Sequence, residues 1–173
     1  MSASPFAARF RRDLPPAAAA LIPDTGLMCR ASTGTRGWAA VPWLAAFDPR
    51  LTRSMRRGVY VAVFVVSGRA SVVLALQHGT EDLLDRLGPA RGRDALRARA
   101  ARLRAATGPV AGMAPGPSDL GATAPLPRGY EAGTIWHREW TADAIGPGTV
   151  SRPFARLARD YAAWAHAGMF DTP

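Results

Sequence analysis

Two apolar runs lie back to back in the middle of the chain: Val59-Tyr-Val-Ala-Val-Phe-Val-Val66 and Ala70-Ser-Val-Val-Leu-Ala-Leu76, separated by Ser67-Gly68-Arg69. β-Branched and aromatic side chains suit the pleated, packed surface of a strand, and a short link containing glycine suits a chain reversal. A β-hairpin follows. Neither run alternates polar with apolar residues, so both faces of the hairpin have to be covered. This condition governs the reading of everything else, because helices must be found for each face.

The flanking segments supply them. Further strands are expected over Leu27–Ala31, over Val41–Phe47 with Pro42 near its start, and over Tyr130–Trp140. Phe6, Phe10 and Leu14 recur at helical spacing over Pro5–Leu14; Pro15-Pro16 is expected to stop or kink that helix, with a second short one from Pro16 to Ile22. Thr80 is placed to cap a helix with Glu81 and Asp82 in its first turn and Leu83, Leu84 and Leu87 buried. After Gly88-Pro89 a longer helix is expected over Ala90–Ala106, burying Leu96, Ala100 and Leu103 and leaving Arg93, Arg97 and Arg104 on a solvated face. Ser151 opens a last helix with the stripe Phe154, Leu157, Tyr161 and Trp164. The stretch 108–127 is rich in Gly, Pro and Ala and reads as a flexible loop. At 173 residues the expectation is a single domain over 1–173, of α+β class: a mixed, curved sheet of about five strands with helices packed against it.

Charge and composition exclude several chemistries. The formal charge is +9, and all 22 basic residues are arginine. An all-arginine, alanine-rich chain is what a GC-rich genome produces, so charge alone is weak evidence for nucleic acid, although guanidinium forks suit phosphates and guanine edges. Without lysine there is no phosphate-loop lysine, and no Gly-x-Ser-x-Gly elbow occurs. Cys29 is the single cysteine, so no internal disulfide forms, no zinc-ligand spacing exists and a reduced cytoplasmic setting is expected. No apolar run approaches the roughly 18 residues of a membrane span. His78, His137 and His166 are scattered, Glu81, Asp82 and Asp85 are explained by helix capping, and Glu131, Glu139 and Asp143 match no metal spacing. No cofactor or metal is expected.

What remains is recognition. Trp38, Trp43, Tyr60 and Phe64 come from neighbouring segments and could either fill the core or line a pocket that stacks a planar base. The glycine-punctuated loop Ser32, Thr33, Gly34, Thr35, Arg36, Gly37 beside two tryptophans favours the pocket, since such a loop can approach a phosphate backbone. Ser32, Thr33, Thr35, Arg36, Arg53, Arg56 and Arg57 are therefore the candidate backbone contacts.

The same stretch carries a resemblance. A Ser/Gly loop, Trp38-Ala-Ala-Val-Pro-Trp43, an apolar run ending in Asp48, Thr52-Arg-Ser54, Gly58-Val-Tyr60-Val61, Leu74-Ala-Leu76 leading to Gly79, and Asp160-Tyr161 near the end resemble the amino-terminal DNA-recognition domain of McrB-type modification-dependent restriction systems. Gln77-His78 stands where that family has an Asn-Gln pair, and Val63 where it often has tyrosine. The resemblance implies a non-catalytic module that binds duplex DNA containing a modified base, methylated cytosine in that family, and flips the base into an aromatic pocket. It implies Trp43 as one wall, Phe64 as another and Tyr130 as a closing side chain, with GTP hydrolysis and cleavage in other domains or in a motor or nuclease subunit. Two other readings stay open: an adaptor docking such a subunit, and a small metal-dependent nuclease whose site assembles from distant carboxylates.

Overall fold

The computed structural model describes residues 5–34, 39 and 41–170. Its centre is the expected hairpin, β3 (Val59–Val66) and β4 (Ser71–His78), paired along the whole length of both strands. Ser67–Arg69 form a single 3-10 turn, and Ala70 completes the reversal in the left-handed region at φ 46° and ψ 51°. Outward on one side lie β2 (Trp43–Phe47) and β1 (Met28–Ser32); on the other lie β6 (Thr134–Thr141) and the two-residue β5 (Ala114–Pro115). The order in the six-stranded sheet is β1-β2-β3-β4-β6-β5. Every neighbouring pair is antiparallel. The α+β class holds, with the sheet antiparallel throughout rather than mixed and one strand larger than expected. The added strand comes from the span read as a loop, where Ala114 and Pro115 pair with His137 and Trp136.

Both faces of the hairpin are covered, as its apolar character requires. Val59, Val61, Leu74 and Leu76 point to one side, where α5 (Ser151–His166) lays Phe154, Leu157, Ala158 and Tyr161 and α3 (Pro89–Thr107) adds Ala100. Tyr60, Ala62, Phe64, Val73 and Ala75 point to the other, where they meet Phe47, Met55, Leu120 and Tyr130. That second cover is made by α4 (Pro125–Gly133) and the chain leading into it. Glu131 Oε1 accepts from the Leu120 and Ala122 amides at 2.8 and 3.2 Å, and Arg69 binds Asp119 on the same segment. The carboxy-terminal half of 108–127 is thus fastened to the sheet.

Three local expectations are corrected. Pro15 and Pro16 do not end the first helix: α1 runs from Pro5 to Ala20 through both. Their missing amides cost the Arg11 and Arg12 carbonyls a donor, but those residues are exposed, where water can serve instead. Leu87, expected to be buried, is 37% exposed; on the first helix Phe6 is 63% and Leu14 37% exposed, while Ala7 and Ala18 are buried. α1 lies against β1, and its buried residues are these two alanines. Finally, Arg104 is not on a solvated face. Its Nη1 reaches the carbonyls of Thr134 and Ile135 on β6 at 3.4 and 3.3 Å.

Two contacts fix how the strand ends meet. The loop before β3 is hydrogen-bonded to the start of α2 (Glu81–Leu87): Gly79 N donates to Gly58 O at 2.6 Å, Thr80 N to Met55 O at 3.2 Å and Asp82 N to Arg56 O at 3.2 Å. A Cβ on Gly79 would stand 2.2 Å from the Arg57 Cα, so only glycine permits this backbone-on-backbone approach. On the opposite face the buried Tyr161 hydroxyl donates to Val59 O at 2.7 Å and accepts from Asp48 N at 3.0 Å, tying α5 to the end of β2 and the start of β3. Tyr161→Phe leaves both backbone groups buried without a partner and is expected to cost about 1–3 kcal/mol, read as a lower urea midpoint at unchanged slope.

Candidate functional site

A cleft of ≈ 380 Å³ opens on the second face, at the β1-β2 end of the sheet. Its apolar walls are Trp43 and Phe47 of β2, Met55 from the following loop, and Leu126 and Tyr130 of α4; its rim carries Arg30, Ser32, Arg53, Ser54, Arg56 and Glu81. That size falls within the roughly 300–1,000 Å³ common to small-ligand pockets. Trp43 is half-buried and sits directly across from Phe64 in the β2-β3 register. The Phe64 ring stacks on Tyr130, with centroids 5.5 Å apart and planes at 27°. Behind them Tyr60 packs on Phe47 at 5.2 Å and donates its hydroxyl to Met55 O at 3.4 Å.

The expected aromatic set therefore divides. Trp43 and Tyr130 border the cleft, whereas Tyr60 and Phe64 are fully buried and form its backing. Trp38, Thr35 and Arg36 lie outside the described residues. Tyr130, expected on a strand, is instead on α4, because Pro125 is pre-organised for the first position of a helix and the strand starts only at Thr134.

What holds Tyr130 in place has no sequence-local signal. Gln77 is fully buried where the β4-β6 register slips, and its Nε2 donates to Tyr130 O at 2.9 Å and to His78 O at 3.2 Å. Its Oε1 accepts from Thr134 Oγ1 at 3.0 Å, and the Ser118 hydroxyl stands 2.8 Å from the same Thr134 oxygen. A Cβ on Gly133 would meet both Gln77 Nε2 and His78 O at 2.9 Å. An amide with every group satisfied in a dry site fixes orientation, and here it fixes the helix that bears the cleft wall.

The candidate backbone contacts divide as well. Ser32 and Arg53 are on the rim. The Ser32 hydroxyl accepts from Gly34 N at 3.1 Å, turning the chain at the cleft mouth. Thr33 is fully buried, its hydroxyl accepting from Arg11 Nη1 of α1 at 2.9 Å, so it supports the loop from behind. Arg56 is engaged by Glu81, Asp82 and Asp85 at 2.6, 3.1 and 2.8 Å. These carboxylates, expected to cap α2, clasp a guanidinium instead, and Thr80 makes no capping bond to the helix. Arg57 is not among the residues lining the cleft and borders a separate hollow. Among the described residues no group of three or more His, Cys, Asp and Glu is arranged to hold a metal ion.

Burial sets the titration of the site. It raises the Tyr60 phenol well above its ordinary value and pushes Tyr130 up to about 12, and it raises Tyr161 on the opposite face. These are all three tyrosines of the chain. Because the folded values are raised, their contribution to stability is complete below the unfolded value of about 10 and is lost as pH climbs through the folded values. Phenolate ultraviolet absorbance is accordingly expected to stay flat past pH ~10 and to rise only together with loss of circular dichroism. A separate phenolate step near pH ~10 in the folded protein would contradict the burial.

A sequence model of the family described as MrcB-like, N-terminal domain, matches residues 1–149 of the 173. No curated protein matches the chain.

Proposed function

The chain belongs to the MrcB-like N-terminal domain family, and from that membership and the cleft we propose that it is a non-catalytic module of a restriction or defence system that binds duplex DNA carrying a modified base. The observation that carries this reading is that a half-buried Trp43 and Tyr130 line one concavity, which is rimmed by Arg30, Ser32 and Arg53. A planar base turned out of a duplex meets aromatic faces there, while its sugar-phosphate flanks meet hydroxyl and guanidinium groups. Phe64, stacked behind Tyr130, keeps the wall from yielding. The modification of the base, methylated cytosine by the family likeness, is read by the fit of the aromatic walls.

In this reading phosphate contacts set affinity and the aromatic walls set preference, so the two separate in experiment. Cleavage of the bound DNA belongs to a partner subunit with a motor or nuclease, met in the cytoplasm, and the chain needs no cofactor for its own step. Base–aromatic stacking contributes roughly 1–3 kcal/mol per base. Trp43→Ala is therefore expected to weaken binding to duplex bearing a modified cytosine by about that amount and to leave binding to unmodified duplex nearly unchanged. Fluorescence anisotropy with the two duplexes measures it, and a ratio equal to that of the parent chain would sink the assignment.

A further inference from the structure

The arginines of the chain are not evenly spent. Arg11, Arg56, Arg69 and Arg104 are held in internal bonds or ion pairs, whereas Arg57, Arg99 and Arg102 are among the arginines that make no ion pair with a carboxylate of the described residues, and they are gathered along adjoining hollows. Arg57 and Arg99 border a hollow of ≈ 420 Å³ between the loop before β3 and helices α2 and α3. Arg99 and Arg102 border a second hollow of ≈ 380 Å³ along α3. The two hollows share Gly58, His78 and Arg99, so they form one groove. Arg56, which borders both the first hollow and the aromatic cleft, joins the groove to the cleft.

The groove has a directional charge pattern. Arg99 and Arg102 are three residues apart on α3 and share a face, so two like charges stand side by side, neither in an ion pair among the described residues. Arg57 lies across from them. Arg86, on the same hollow, bonds only the Asp82 carbonyl at 3.3 Å. His78 Nδ1 lies 2.7 Å from Gly79 O and donates to it, and burial holds the imidazole below its ordinary value, so the ring adds no charge. The counter-charge is confined to one spot: Asp82 and Asp85 also border the first hollow, but with Glu81 they are turned onto Arg56. Three carboxylates on one guanidinium leave that node negative. Beyond that node the lining of the first hollow is basic, with Arg57, Arg86 and Arg99, so a polyanion that passes the junction is drawn along the Arg57, Arg99 and Arg102 side.

We propose that this groove carries the phosphates of the DNA strand that flanks the bound base, extending the interface from the cleft over His78 to the middle of α3. The proposal rests on the DNA-binding reading of the cleft. Arginine–phosphate pairs of this kind add affinity without sequence information and act through counterion release, each duplex phosphate neutralised steepening the salt dependence by ~0.9.

The test is a salt titration of the full chain on modified and unmodified duplexes. Arg99→Gln with Arg102→Gln is expected to make the slope of log affinity against log salt shallower by ~1.8, and Arg57→Gln by ~0.9. The ratio between modified and unmodified duplex stays at the parent value. Arg152→Gln with Arg156→Gln, on α5 and bordering a different hollow, removes the same net charge elsewhere and is expected to leave the slope unchanged. Thermal melts establish that each variant is folded, and Arg57→Gln tests the groove from a different element should the α3 pair not fold. If the parent binds with Trp43-dependent preference but the groove variants keep the parent slope, the groove assignment is overturned and the cleft reading stands. An equal change in the α5 control overturns it too. Failure of the parent to bind any duplex at low salt overturns both.

Discussion

The pairing of β3 with β4 is the constraint from which the rest of the molecule follows. Both strands are apolar on both sides, and nearly every residue in them is buried. A hairpin of this kind is insoluble in isolation and stable only when sandwiched. One cover is a long amphipathic helix, α5, which can be supplied by a simple periodic stripe. The other is a short helix and its irregular lead-in, which cannot cover the sheet to its end. The cleft is where this second cover stops short, leaving Trp43 half-buried between a packed centre and solvent.

How much of this is legible in the chain depends on the range of the physics involved. Local periodicity locates the hairpin, the α5 stripe and the helices on either side of Gly88, because strand and helix spacing are properties of a few consecutive residues. It leaves Trp43 open between core and pocket, and only the family resemblance around the Pro42-Trp43 step singles it out as a wall. It fails where distant groups decide. Tyr130 reads as strand because Ile135, Trp136 and Trp140 follow it, yet Pro125 and Pro127 put it on a helix. Glu81, Asp82 and Asp85 sit in the right place to favour a helix start, and nothing nearby announces that Arg56, more than twenty residues earlier, claims all three. The Gln77, Thr134 and Ser118 cluster is built from three separate segments and has no pattern at all. The prolines of α1 show the reverse error: a strong local rule overruled at an exposed position where water can take the lost bonds.

The charge of the chain illustrates the same division. A total of +9 suggests a uniformly basic surface, but guanidinium groups here serve different ends. Some replace structural donors, as Arg104 does for the β6 carbonyls and Arg11 for the Thr33 hydroxyl. Others neutralise carboxylates, as Arg50 does with a two-pronged grip on the buried Asp48, holding that carboxyl below its ordinary value. Arginine suits both uses because its planar fork keeps its geometry when partly dried. Only the remainder shapes the outer field, and it is unevenly distributed.

Gly79 gives these separate regions a common mechanics. With no side chain between its backbone and that of Arg57, and with three amide-to-carbonyl hydrogen bonds beside it, the loop carrying Met55 and Arg56 is held against the start of α2. The rim of the cleft and the wall of the groove are then built on one continuous stretch of hydrogen-bonded backbone, with Arg56 bordering both. A bulkier residue at position 79 would therefore disturb the cleft rim and the groove wall together, since both hang on the same backbone-to-backbone seam.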